Sequence, residues 1–496
     1  QKDDLSFNDY VIVLEDSALE ETLSFIFSQT PPERLQDIIG ISAPREFEVN
    51  SELIAGFASA TLHFTESTRL MLGIRESRVK KKGYRKLTYR LQDLVTPLSD
   101  TPYSGQPQVT PYESVSFIFD AALRVNPHEQ QEERKEKRTS WSIILEHDIN
   151  DDYMLYLSAV NGFKGGGFDT RSNNPDNWFD FIGNDGAKIN NELIYNNNNC
   201  SGYSTGDPNI PEVCELTIPT FYSPGTFQFE DEEALAFELG LKARIADRAE
   251  VNMAYFYTDI EDLQLSIFDG GVGFNVSNAG LAVTQGLEIE GRIFLTEHWF
   301  MNASLAWMEF EYKDYKDGLC TSTQKMTIYA LEKERLANNP TGDSITSFEN
   351  CAIFITEVPG SNTQIRTPLA DLTGETNQYV SDYSGSISIE YQNNINDKLL
   401  FKGGLDFNFT DDYNPAQNLD PELQQKSYKI LNIRLAIIDD ANDKWEVAVM
   451  GRNITDEKIV GYANDVPLSS GLFGTKTSYG FIQRPESWAL QAKYNF

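Results

Sequence analysis

Along most of its length this sequence alternates apolar and polar residues with a period of two, and turn residues interrupt the pattern repeatedly. Trp488, Leu490, Ala492, Tyr494 and Phe496 share one face of the terminal segment, and Gln491, Lys493 and Asn495 share the other. Leu235, Phe237, Leu239 and Leu241 oppose Glu238, Lys242 and Arg244, and Leu431, Ile433, Leu435 and Ile437 oppose Asn432, Arg434 and Ala436. Successive side chains of a strand point to opposite faces, so each such segment reads as a strand with one apolar and one polar side. The expected class is therefore all-β.

The connections discriminate among all-β folds. Those at 64–67, 150–152, 246–248, 296–298, 394–398 and 439–444 are very short, whereas 162–230 and 313–377 far exceed an ordinary loop. Short and long connections tend to alternate. A sandwich has no reason for that, but a transmembrane antiparallel β-barrel does: short turns face the periplasm and long loops the exterior. About fourteen strands are expected, near 5–17, 48–64, 66–82, 136–149, 151–164, 231–245, 248–268, 274–296, 299–314, 378–394, 397–410, 425–439, 444–462 and 477–496. Region 83–135 is ambiguous, with 114–123 a possible further strand, and the EQQEERKEKR run at 129–138 reads as a solvated loop tip.

Composition agrees where it can discriminate. Hydrophobic residues are 40% of the chain and no apolar run is long enough for a spanning helix, which a barrel does not need. Aromatic residues, at 12%, suit the girdles of such a barrel. A formal net charge of −34 argues against a nucleic-acid partner. Cys200 with Cys214 and Cys320 with Cys351 fall in polar, turn-rich segments without zinc spacing, so two local disulfides on exterior loops are expected. His63, His128, His147 and His298 are scattered, and no G-x-S-x-G elbow is present, so no enzyme, metal site or cofactor is expected. Pairs such as Asp411–Asp412 and Glu230–Glu233 read as solvated loop charges. The opening QKDDLSFNDY has neither a basic nor an apolar leader region and reads as a mature form or the middle of a longer chain.

An ordered set of motifs carries a family resemblance. An aromatic-rich strand from Tyr156 ends in Gly162, Phe163, Lys164, Gly165, Gly166, Gly167 and Phe168. An E-x-x-x-x-x-E-x-G-x-K strand follows at 232–242, then YFYTDIEDLQ (255–264), VSNAG (276–280), GLEIEG (286–291) and RNITDE (452–457). TRLMLGIR (68–75) and a final strand closing in Phe496 complete the set. In this order the motifs resemble TonB-dependent outer-membrane receptors.

That resemblance implies a barrel of about 22 strands around an N-terminal plug. The chain, 1–496, is then expected to be the C-terminal part of the barrel, with plug and first strands missing. It further implies location in the Gram-negative outer membrane and TonB-dependent active uptake of a scarce ligand, such as an iron–siderophore or other metal chelate. Partners would be the TonB–ExbB–ExbD complex through the plug, the barrel-assembly machinery through Phe496, and surrounding lipid and lipopolysaccharide. Trp178, Phe179, Phe181, Tyr203, Phe221 and Tyr222 are candidate ligand contacts, or else pack the long loops on one another. Gly165–Gly167 are expected to allow positive φ or a crowded backbone where the strand enters its loop, rather than to cradle phosphate, because no following helix is present. The alternatives are a passive porin-like or structural barrel and a secreted acidic β-protein.

Overall fold

The computed structural model describes residues 2–11, 41–87, 90–91, 128–169, 221–222, 227–268, 274–357, 364–466 and 476–495. One antiparallel meander dominates. Its path runs through β1 (Lys2–Val11), β2 (Ile41–His63), β3 (Thr68–Leu87), β4 (His128–Asn150) and β5 (Tyr153–Lys164). It continues through β6 (Glu232–Ile245), β7 (Ala249–Phe268), β8 (Phe274–Phe294), β9 (Trp299–Asp314) and β10 (Tyr383–Asn396). β11 (Leu399–Thr410), β12 (Tyr428–Asp439), β13 (Trp445–Arg452) and β14 (Ser487–Tyr494) complete it. Each strand pairs with its neighbours in chain order, and among the described residues β1 and β14 do not pair with each other.

Register makes the two faces continuous. Directly opposed residues point the same way, and one such row reads Leu62, Leu70, Leu145, Leu157, Leu239, Tyr255, Leu287, Trp307, Tyr383 across nine strands. Most of these side chains are open to the surroundings, including Leu157 and Leu239. A wide apolar band exposed on the outside of a sheet needs an apolar solvent. On β6 the outward residues Leu235 to Ile245 cover about 34 Å of strand, or about 26 Å along the membrane normal at the usual tilt, which is the height of a transmembrane band. The predicted short turns are all present as tight connections on one side of the sheet.

The structure corrects several expectations. Residues 444–462 and 477–496 are not single strands. The chain leaves β13 at Arg452 through Asn453 and Asp456, both at positive φ, and Val460–Asp465 pairs with Ser478–Ile482 in a separate hairpin. Asn453 supplies the turn's hydrogen bonds, accepting from the Glu457 N–H (3.0 Å) and donating to the Glu457 carbonyl (2.8 Å). The run at 129–138 is not a loop tip. It is the outer half of β4, paired residue for residue with β3. Its alternation is between differently partnered polar residues, so no apolar signal marks it. The stretch 114–123 lies outside the described residues.

The connection after β9 folds into a lobe of its own. Helix α1 (Ser322–Asn338) begins at Thr321, whose hydroxyl accepts from the Gln324 N–H while the Gln324 side chain accepts from the Thr321 N–H. Beside it, Cys351–Glu357 pairs with Gln364–Ala370. Cys351 therefore opens a strand, contrary to expectation, and it forms the expected disulfide with Cys320. Tyr312, Tyr315, Ile328, Ile353 and Leu372 bury the lobe's core.

The assignment of faces predicts unequal costs for one substitution at adjacent positions. Leu157→Arg should destabilise the folded protein in lipid by about 2–4 kcal/mol, whereas Ser158→Arg, on the inner face opposite Glu238, should cost less than about 1 kcal/mol. Denaturant titration in bilayers measures both.

Candidate functional site

The inner face of the sheet is polar. One row runs Lys242, Asn252, Glu290, Ser304, Ser386, Asn408, and the next carries Glu146, Tyr156, Gly240, Ala254 and Glu288. Of these, Tyr156, Lys242, Asn252, Ala254, Glu288, Glu290, Ser304 and Asn408, together with Glu238, line a cavity of about 570 Å³. Gly240 makes room for the Tyr156 ring: a Cβ there would lie 2.2 Å from ring carbons. The ring lies flat enough on the wall for its hydroxyl to donate to Glu238 and for Lys242 Nζ to sit 5.5 Å from its centroid. Asn252 donates to Glu290 (3.0 Å), and the Ser304 and Ser386 hydroxyls are 2.7 Å apart. Three carboxylates against one lysine give this wall a negative potential.

Where β5 meets its long loop, a buried carboxylate organises the rim. Asp231, its side chain wholly buried, accepts from the Gly166 N–H (2.6 Å), Arg134 Nη2 (2.9 Å) and Arg138 Nε (2.5 Å). Arg134 also donates to Glu136 and Glu230, and Arg138 to Glu233. Lys81 donates to the Gly166 carbonyl. Burial pushes the Asp231 carboxyl up, but the Gly166 N–H and the two guanidiniums outweigh it and hold the carboxyl below its ordinary range. Glu230 and Glu233 thus belong to an ion-pair network, Glu230 remaining largely solvated, as expected, and Glu233 partly so.

The glycine motif is the other half of this rim. Gly167–Phe168 pairs with Gln228–Phe229, closing the two roots of the 170–226 connection. A Cβ on Gly166 would lie 2.3 Å from the Phe229 carbonyl oxygen, and one on Gly167 2.9 Å from the Phe229 ring. Crowding, not left-handed backbone, requires these glycines: none of Gly165–Gly167 has positive φ. Gly83 leaves space for the Phe168 ring, which packs 5.1 Å from Phe227, and the Arg85 guanidinium caps Phe227 at 4.9 Å. Before the glycines, Gly162 and Phe163 remain paired with Ala234 and Glu233, and Lys164 Nζ lies 3.6 Å from Glu232. The Gly166 N–H already serves Asp231, which leaves no phosphate cradle here.

Of the candidate ligand contacts, Trp178, Phe179, Phe181 and Tyr203 lie outside the described residues, as do Cys200, Cys214 and Phe496. Phe221 and Tyr222 form a short strand parallel to His128 and Glu129. Asp231, Arg134 and Arg138 were not singled out by the sequence. The usable signal was the spacing of Arg134, Glu136 and Arg138 on one strand face. Among the described residues no group of three or more His, Cys, Asp or Glu is placed to hold a metal ion.

Asp231→Ala would leave Arg134 with Glu136 and Glu230, and Arg138 with Glu233, but would remove the carboxylate that ties both to the Gly166 N–H, and should destabilise the rim by about 1–3 kcal/mol. Because the Asp231 pKa is lowered on folding, its contribution is complete above the ordinary carboxylate range and is lost as pH falls through the folded value. Protection factors at Gly166 and Phe168, taken relative to the intrinsic exchange rate at each pH, should therefore fall in the variant, and in the unmodified protein on acidification, while those in β7 and β8 stay unchanged.

The profile of the TonB dependent receptor-like β-barrel matches residues 22–454. No curated protein matches significantly by sequence. Solved structures with a similar fold include the ferric yersiniabactin uptake receptor FyuA from Yersinia pestis, 14% identical, with a TM-score of 0.52 over 92% of this chain and 47% of that one. The siderophore receptor PiuA from Acinetobacter baumannii is 12% identical, with a TM-score of 0.46 over 91% of this chain and 43% of that one. The chain thus spans about half the length of these structures. The family match covers most of the sequence, and the antiparallel meander has the fold of FyuA: this chain belongs to the TonB-dependent receptor β-barrel family.

Proposed function

We propose that the chain is the barrel part of an outer-membrane receptor that takes up a scarce ligand, most simply an iron–siderophore or other metal chelate, by TonB-dependent active transport. The observation that carries this reading is the family match over 22–454, on a sheet with an apolar outer band and a polar inner wall. The name of a similar structure, a ferric yersiniabactin uptake receptor, supports the ligand class.

In this mechanism the 170–226 connection, with Trp178, Phe179, Phe181, Tyr203, Phe221 and Tyr222, meets the ligand outside the membrane. The clasp of Gly167–Phe168 on Gln228–Phe229, locked by Asp231, holds both roots of that connection on the rigid sheet. The polar inner wall offers a passage once the plug, supplied by the complete protein, is displaced by the TonB–ExbB–ExbD complex. The barrel-assembly machinery would insert the protein, reading the strand that ends in Phe496.

Cells expressing the full-length protein should accumulate ferric chelate only when TonB is present, and deletion of 170–226 should abolish accumulation while a heat-modifiable barrel persists. Equal accumulation with and without TonB would replace active uptake by a passive pore.

A further inference from the structure

On the side of the long connections, the chain between β11 and β12 makes a turn, 411–427, and the hairpin of Val460–Asp465 and Ser478–Ile482 rests on it. Polar contacts cross the junction. The Val460 N–H donates to Gln425 Oε1 (2.7 Å), the Tyr413 hydroxyl to the Val460 carbonyl (3.4 Å) and Asn418 Nδ2 to Asp465 Oδ2 (3.1 Å). Lys476 pairs with Glu422 at its edge. Tyr413, Asn418, Asp420 and Gln425 are buried there.

One carboxylate at this junction is poorly matched to its surroundings. Asp420 is 1% exposed, and its Oδ1 accepts from the Glu422 N–H (3.0 Å). Its Oδ2, also buried, has no hydrogen-bond partner among the described residues. A second carboxylate stands close by. Asn418 bridges the two: its Oδ1 accepts from the Asp420 N–H (3.2 Å) while its Nδ2 holds Asp465. The charged groups that face Asp420 are Asp465 and Lys476 from the hairpin and Glu422 from its own turn, and Lys476 is already paired with Glu422. Burial pushes the Asp420 carboxyl up. The Glu422 N–H and the Lys476 charge oppose this, and the Asp465 and Glu422 charges add to it.

A buried, half-partnered charge beside a second carboxylate is costly, and lifting the hairpin would give both groups to water. Ionisation of Asp420 therefore favours the lifted hairpin and a proton favours the seated one. We propose that Asp420 is a proton-operated latch: protonated, it leaves the hairpin seated on 411–427, and ionised beside Asp465 it loosens the hairpin and uncovers Tyr413. The seated state holds the proton more tightly than the lifted one. The seat is thus firmest below the ordinary carboxylate range and weakens as pH rises from there to the raised value. This regulation goes beyond the uptake reading and does not depend on which ligand is carried.

Hydrogen exchange in the full-length protein in bilayers tests the latch, with protection factors taken relative to the intrinsic rate at each pH. Val460 reports on the seat because its N–H crosses the junction, and β11 serves as the control. In the unmodified protein, protection at Val460 should rise as pH falls from about 7.5 to about 5.5, with β11 unchanged. Asp420→Asn is neutral yet can still accept from the Glu422 N–H. At the higher pH it should protect Val460 at least about threefold more than the unmodified protein, and it should remove the pH dependence. No rise on acidification of the unmodified protein would overturn the proposal, whether or not the variant folds. So would a variant no better protected at the higher pH, or a rise that persists in it. Calcium that protects Val460 at neutral pH in the unmodified protein but not in the variant would also overturn it, making the two carboxylates a cation site. Uptake is not measured, so no outcome bears on the ligand reading.

Discussion

In hydrocarbon a strand has nowhere to place its backbone N–H and C=O groups except on neighbouring strands. That constraint governs this molecule. It makes the sheet a meander, because tight turns pair each strand with the next at once. It also makes register strict: a slip of one residue would turn Leu157 and Leu239 inward and bring Ser158 and Glu238 into the lipid. The apolar row from Leu62 to Tyr383 and the polar row from Lys242 to Asn408 are two consequences of one pairing scheme.

Outside the lipid the constraint relaxes, and different forces build the structure. At the rim a buried Asp231 with Arg134 and Arg138 works beside the packing of Phe168 on Phe227, and Gly166 and Gly167 allow close approach of the chain to Phe229. A buried carboxylate between two guanidiniums is weak evidence for stability in itself, since desolvation offsets much of the attraction. Its role here is to position the roots of a long connection. Farther out, the disulfide, α1 and a small sheet give the 315–372 lobe its own core, which a 17-residue helix could not maintain alone.

These differences explain what was legible in the sequence. Strands in lipid carry period-two alternation because one face must be apolar, so β5 to β12 could be located from residues alone, as could the short turns. The ends of strands outside the lipid carry no such signal. Gln130, Glu132, Arg134, Glu136 and Arg138 alternate with other polar residues, so the upper half of β4 looked like a loop. α1 was hidden for a related reason: its buried residues Gln324, Ile328 and Glu332 have helical spacing, but only one is apolar. The break after Arg452 depends on positive φ at Asn453 and Asp456, a backbone preference that alternation does not register. At the candidate site, the glycines of 165–167 were visible as a motif. Their partner Asp231 was not, because nothing local distinguishes a buried acid from its exposed neighbour Glu230 or its half-buried neighbour Glu232.

Alternate residues of each long strand face lipid and a polar interior. Spin labels placed one at a time from Tyr153 to Lys164 on β5, in the full-length protein in bilayers, test it through collisions with oxygen and with a water-soluble nickel chelate. Strict alternation is expected, with oxygen contact greatest at positions 155 and 157 and lowest at 156 and 158. Uniform accessibility along the strand, or the opposite phase, would contradict it.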